Sequence, residues 1–224
     1  MKKDQETSYT GWSFIVAALL LWSGYMLSSH HTGEYLEIAD FNAIGENVWY
    51  WIWMFRVHIF GWVIMGAALF ALAALTAKKP YRVYTLSGIG VTIVGTFTIA
   101  LGAAFYYSYG AWGVGQIEGN TVIENEVFID KLTFTNHYAT CLVRFGRIFS
   151  GVGLLILGFA LVKWKIVQSW LGVLTMLLGL TAICVILFIH SNFEIYKPLF
   201  HVKVLWLVLM GVTLLRRGLQ LEED

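Results

Sequence analysis

The sequence predicts an all-α, polytopic membrane bundle of about six helices with both termini in the cytoplasm. Three observations carry that expectation. Apolar residues make up 58% of the chain and charged residues 13%, far from the roughly half and one quarter usual in soluble domains. A soluble domain of 224 residues could not bury so much apolar surface. The apolar residues gather into runs of the length needed to cross a bilayer, about 20 residues each. Many of the ten Trp and eleven Tyr residues fall near the ends of those runs, where amphipathic rings favour the headgroup region.

Taken in order, the spans read as 11–28, 48–76, 84–107, 138–162, 167–190 and 199–215. The first follows Lys2 and Lys3, as a signal peptide would. Asp4 and Glu6 spoil the basic leader that such a peptide needs, so the segment reads as a retained helix. The remaining spans are separated alternately by short basic turns and long acidic loops. Lys78, Lys79 and Arg82, then Lys163 and Lys165, then Arg216 and Arg217 all fall on the same side as Lys2 and Lys3. Lys131 and Lys197 lie on the other. That asymmetry places the basic side in the cytoplasm and suits a plasma (inner) membrane. The opposite, outer side carries the segments 29–47 and 108–137 with Glu34, Glu37, Asp40, Glu118, Glu124, Glu126 and Asp130. Short turns make consecutive helices antiparallel neighbours. No linker, repeat or low-complexity stretch divides the chain, so residues 1–224 read as a single domain.

Several function classes drop out. A net charge of +1 offers no basic surface for nucleic acid. The two cysteines, Cys141 and Cys184, sit inside apolar runs and read as small hydrophobes; no Cys-x-x-Cys-His motif is present for a c-type heme. Phosphate-loop and nucleophile-elbow motifs are missing, as is His-Glu-x-x-His. The Gly110–Gly115 stretch lacks the strand and helix of a nucleotide site and reads as an outer turn.

What remains is a set of ionisable groups inside the spans. Histidine falls mostly toward the outer side: His30 and His31, His137, His190 and His201 sit near helix ends, while His58 lies about ten residues, or ~15 Å, into the second helix. Arg56, Arg144, Arg147 and Lys203 lie within spans, and no Asp or Glu accompanies them. Buried cations without protein carboxylates need an external anion, a backbone carbonyl or a path to water. Heme propionates, quinone oxygens and lipid phosphates would each serve; snorkelling to the headgroups is the alternative, open to Lys203 and Arg144 and less so to Arg56. The same lack of acids argues against a proton-coupled pump or cation channel. On the fourth helix His137, Arg144, Gly151 and Gly158 recur every seven residues. That face could meet a flat ring or form a helix–helix seam. Gly88, Gly95 and Gly102 on the third read as close packing.

If a heme is held, His58 is the first candidate ligand, with His201 the leading second and His137 and His190 behind it. The difference in depth between His58 and His201 would have to be closed by tilt or by an earlier start to the sixth helix. Copper is the alternative metal, although Met-x-x-Met and His-x-His clusters are absent.

Two stretches carry a resemblance. The second helix reads Phe55-Arg56-Val57-His58-Ile59-Phe60-Gly61 and then Gly66-Ala67-Ala68-Leu69-Phe70; the sixth reads Lys197-Pro198-Leu199-Phe200-His201-Val202-Lys203. Both resemble helices of the heme-containing membrane protoporphyrinogen oxidases and the related copper-resistance D proteins, as does Arg144-Phe145-Gly146-Arg147 at the head of the fourth. The resemblance implies heme b, with His58 as ligand and Lys203 or His201 at the closing helix. This chain departs from that group in its leading helix and its long 108–137 segment, so heme binding is implied more directly than the oxidase reaction. The combined expectation is a b-type heme subunit passing electrons near the outer face, to or from quinone or a partner protein. Arg144 and Arg147 would pair with propionates or a quinone head. The alternatives are a cofactor-free structural or assembly subunit, with the aromatic outer loop (Tyr106, Tyr107, Tyr109, Trp112) docking partner subunits, and a copper-handling or small-molecule transport protein.

Overall fold

The computed structural model describes residues 2–27, 44–77, 79, 81–115, 126–189 and 193–220. Six long helices account for most of them: α1 (Lys2–Leu27), α2 (Val48–Thr76), α3 (Arg82–Phe105), α4 (Glu126–Lys163), α5 (Ser169–Cys184) and α6 (Phe193–Gln220). No strand occurs among the described residues. Five segments are long and apolar enough to cross a membrane: Val48–Thr76, Arg82–Ser108, Thr133–Lys163, Ser169–Ile189 and Tyr196–Arg216. The first helix is not among the five. It packs along α2 and α6.

Boundaries follow local chemistry. Asn47 caps α2, its side chain accepting from the Tyr50 amide at 3.4 Å. Helix α3 runs on into a wider π turn, Tyr106–Trp112, and α5 does the same over Val185–Ile189, so both helices loosen at their C-terminal ends. At the C-terminal end of α4 the chain reverses through Lys165, whose φ of 50° is left-handed. The Ile166 amide donates to the Leu161 carbonyl at 3.2 Å and the Lys165 amide to that of Val162 at 3.3 Å, the paired bonds of a Schellman ending.

Three helices begin before the spans that the sequence predicts, α1 at Lys2 rather than 11 among them, and the apolar segments of α4 and α6 themselves start at Thr133 and Tyr196. Helix α4 starts at Glu126 rather than 138, because a polar helical stretch outside the bilayer leaves no hydropathy signal. Helix α6 starts at Phe193 rather than 199. Pro198 falls inside α6, near its start, where few intrahelical bonds are lost.

The helices follow one another around a ring. Each packs on its sequence neighbour, α6 closes onto α1, and the α5–α6 contact is the lightest. Glycines set the close seams, as close packing between membrane helices requires. A Cβ at Gly88 would come 2.9 Å from Leu157 Cα on α4, one at Gly158 2.8 Å from the Gly172 carbonyl on α5, and one at Gly11 2.8 Å from that of Gly211 on α6. Gly151 and Gly158 thus face α5 as a helix seam, which resolves the two uses left open for that stripe. Inside the ring Phe14, Leu21, Met65, Leu69, Leu154, Leu157, Trp206 and Met210 are buried. The Trp206 indole donates to Thr175 Oγ1 at 2.8 Å and meets Phe14 edge-on at 6.2 Å. A smaller core at the outer end joins Ile44, Trp51, Ile52, Met54 and Phe55 to Ala111 and Val114, fixing the π turn against α2.

Candidate functional site

The functional candidates gather where α2, α4 and α6 face one another across the ring. On α6, Tyr196, Phe200, Lys203 and Leu207 recur at helical spacing and are all buried, so one face of α6 carries both the aromatics and the cation inward. On α2 the same logic aligns His58 with Trp62, Met65 and Leu69. Helix α4 contributes Arg147, buried beside Ser150 and Leu154.

The contacts are specific. The Arg147 guanidinium lies over the Tyr196 ring at 3.5 Å, and the Lys203 ammonium over the Trp62 ring at 4.5 Å. Lys203 and Arg147 are close enough to feel each other's charge. His58 stands edge-on to Trp62 at 5.8 Å and stacks on Phe200 at 6.2 Å. Gly24 of α1 backs His58: a Cβ there would come 2.9 Å from His58 Cβ, so the imidazole's root is pressed directly against α1. Among the described residues the buried Trp62 indole N–H has no hydrogen-bond partner, and neither has the His58 imidazole. No Asp or Glu occurs in the five spans that supply these donors.

Several predicted residues lie elsewhere. His201 is exposed, its ring edge-on to Tyr25 at 4.9 Å. Phe200 stands against both His58 and His201, 6.2 Å from each, so the two imidazoles do not face each other. His137 is exposed and Arg144 half-buried on α4. His190, His30 and His31 lie outside the described residues. Cys141 and Cys184 are free thiols, and Cys141 is exposed rather than packed in the core. Among the described residues no group of three or more His, Cys, Asp or Glu could hold a metal.

Helices α2 and α6 bring His58 and Phe200 to one level, where the two rings stack at 6.2 Å. Lys163 lies over the Trp164 ring at 5.0 Å, and Tyr81 and Tyr84 pack on the same indole at 5.6 and 5.0 Å, an aromatic and basic cluster of the kind found at membrane interfaces. Counting about 20 residues, or ~30 Å, outward from Thr76 reaches Val57. Helix α2, at 29 residues, is thus longer than a perpendicular crossing needs, and His58 lies level enough with α6 to stack on Phe200.

Trp62, Tyr196 and Phe200 were not singled out from sequence. The signal existed: Trp62 lies four residues after His58, and Tyr196 and Phe200 lie seven and three before Lys203. Spacing also separates His201 from Lys203, since two residues on a helix point about 200° apart and both cannot face the core. The chain matches no protein-family model, no curated protein and no solved structure.

Proposed function

We propose that this protein is an electron-carrying membrane subunit that holds a heme b at the outer end of its bundle. His58 would serve the iron, and Lys203 and Arg147 the propionates. The observation behind the reading is the burial of Lys203, 5% exposed, against an indole face and beside a second cation. A desolvated cation–π contact contributes about 2 kcal/mol, whereas burying a charge costs several kcal/mol even after relaxation. The aromatic faces do not offset that cost. An oxygen-bearing anion would, and it would also accept from the Trp62 N–H.

The residues fit the carboxylates of such a group well and its iron in part. One imidazole, His58, reaches the core, while His201 points away, so a bis-imidazole pair of His58 and His201 is not favoured. Heme would supply one-electron chemistry. The chain's own contribution is to anchor acidic groups at Lys203 and Arg147, to hold His58 rigid against Gly24, and to keep water out with Trp62, Tyr196 and Phe200. The short motifs shared with heme-containing membrane oxidases support the same reading, and the charge asymmetry of the turns supports a plasma membrane with the site near the outer face. The long outer segments offer ground for a partner subunit.

One observation favours a second reading. Phe200 lies nearly parallel to the His58 ring, 25° apart, which leaves the imidazole nitrogens at the ring edge as hydrogen-bonding groups beside a flat apolar wall. A quinone head needs only donors, and His58, Lys203 and the Trp62 N–H are donors. A dithionite-reduced minus oxidised spectrum of the purified protein, with hemochrome quantification, tests the proposal. A sharp band near ~560 nm, lost in His58→Ala, supports a b-type site. A flat spectrum with quinone in the organic extract replaces heme by quinone. Neither ligand, from folded protein, leaves a structural subunit.

A further inference from the structure

A second cationic site lies outside the bundle core and takes no part in the reading above. Arg56 is half-buried on α2. Its Nε donates to the Tyr107 hydroxyl at 3.1 Å, and its guanidinium lies 5.0 Å from the Trp53 ring and 5.7 Å from that of Tyr107. Trp112 stands edge-on to Tyr107 at 6.3 Å and to Trp49 at 5.9 Å, closing an aromatic collar. The Tyr107 hydroxyl also meets Trp112, so the ring that orients Arg56 is itself held. The π turn that brings Tyr107 and Trp112 there is anchored through Ala111 and Val114 in the small outer core.

With Nε engaged, the two terminal amino groups have no hydrogen-bond partner among the described residues. Arg56 falls at the outer hydrocarbon boundary on the count from Thr76 given above. Trp49 and Trp53 are exposed beside it, at 64% and 59%, as belt residues facing lipid are. A fixed guanidinium fork at that depth matches the geometry of a phosphate, which it can bind in bidentate fashion.

We infer that Arg56, held by Tyr107 and flanked by Trp49, Trp53 and Trp112, is a binding site for the headgroup phosphate of an anionic phospholipid in the outer leaflet. The indoles would cover the upper acyl chains and the glycerol. Simple snorkelling of a mobile arginine would need neither the Nε bond nor the collar.

The test is native mass spectrometry of the full chain in mild detergent, titrated with phosphatidylglycerol, phosphatidylcholine or inorganic phosphate. Phosphatidylglycerol should bind first and most tightly, with roughly tenfold or greater loss in Arg56→Gln, as expected for losing a charge-assisted pair. Arg56→Lys, which keeps the charge without the fork, should fall between. Tyr107→Phe should weaken binding several-fold while leaving the charge in place, which guards against a folding defect in the Gln variant. Equal phosphatidylglycerol binding by wild type and Arg56→Gln would overturn the site. So would equal affinity for phosphatidylcholine, and so would displacement of the lipid by millimolar inorganic phosphate.

Discussion

Helices α3 and α4 should part if a single methyl group is placed between them. A Cβ built on Gly95 comes 2.5 Å from the Gly146 carbonyl oxygen and 2.6 Å from Ser150 Oγ, where ordinary contact begins at 3.4 Å. Two colliding atoms, the Gly146 carbonyl oxygen and the Ser150 amide nitrogen, are helix backbone, so no rotamer change relieves them and the helices must separate by about 1 Å. Such a gap forfeits a quarter to a half of the dispersion at each affected atom pair. Overpacking of this kind costs about 1–3 kcal/mol, and backbone contact places it near the top of the range. Replacing Gly by Ala returns up to about 1 kcal/mol of helix propensity, leaving a net loss of about 2 kcal/mol for Gly95→Ala. Gly90, five residues earlier on the same helix, is exposed and has nothing within 4 Å of its Cβ position. Gly90→Ala should therefore gain about 0.5–1 kcal/mol. Helicity followed through a dodecyl sulfate titration in mixed micelles reads both, and the two midpoints should move in opposite directions. Equal midpoints would show that α3 and α4 do not meet through this seam.

Three further outcomes follow from single contacts. Trp206→Phe removes the donor to Thr175 Oγ1 while keeping an aromatic ring between α1 and α6; it should cost about 1–2 kcal/mol in the same titration. Lys165→Gly relieves a left-handed residue at the end of α4 and should stabilise by about 1 kcal/mol, read as a later unfolding midpoint. Gly24→Ala presses a methyl group onto His58 and should lower the ligand retained per chain on purification several-fold, whereas Gly66→Ala, with open space around it, should leave retention unchanged.

The fold class was legible because a bilayer imposes a length on apolar runs, and α2 came out at 48–76 from hydropathy alone. What lay outside the hydrocarbon was not legible. The start of α4 at Glu126 and the first turns of α6 are polar stretches whose helicity has no hydropathy signature. At the site, His58 and Lys203 were legible as ionisable groups within apolar spans, where such residues are costly. Their aromatic walls were hidden among the chain's many rings, and only the spacing to His58 and Lys203 marks Trp62, Tyr196 and Phe200. His58 lies ten residues from the start of α2 at Val48, as the sequence places it, and its neighbours Trp62 and Phe200 only become visible once the helices are packed.

The central claim, that His58, Lys203 and Arg147 form one site for an oxygen-bearing redox ligand, is tested most directly by ligand stoichiometry. Heme and quinone would be quantified per chain in purified wild type, His58→Ala and Lys203→Met, each checked for folding by gel filtration. The account predicts close to one ligand per chain in wild type and a loss of most of it in both variants. Full retention in Lys203→Met, or no ligand in folded wild type, would contradict it.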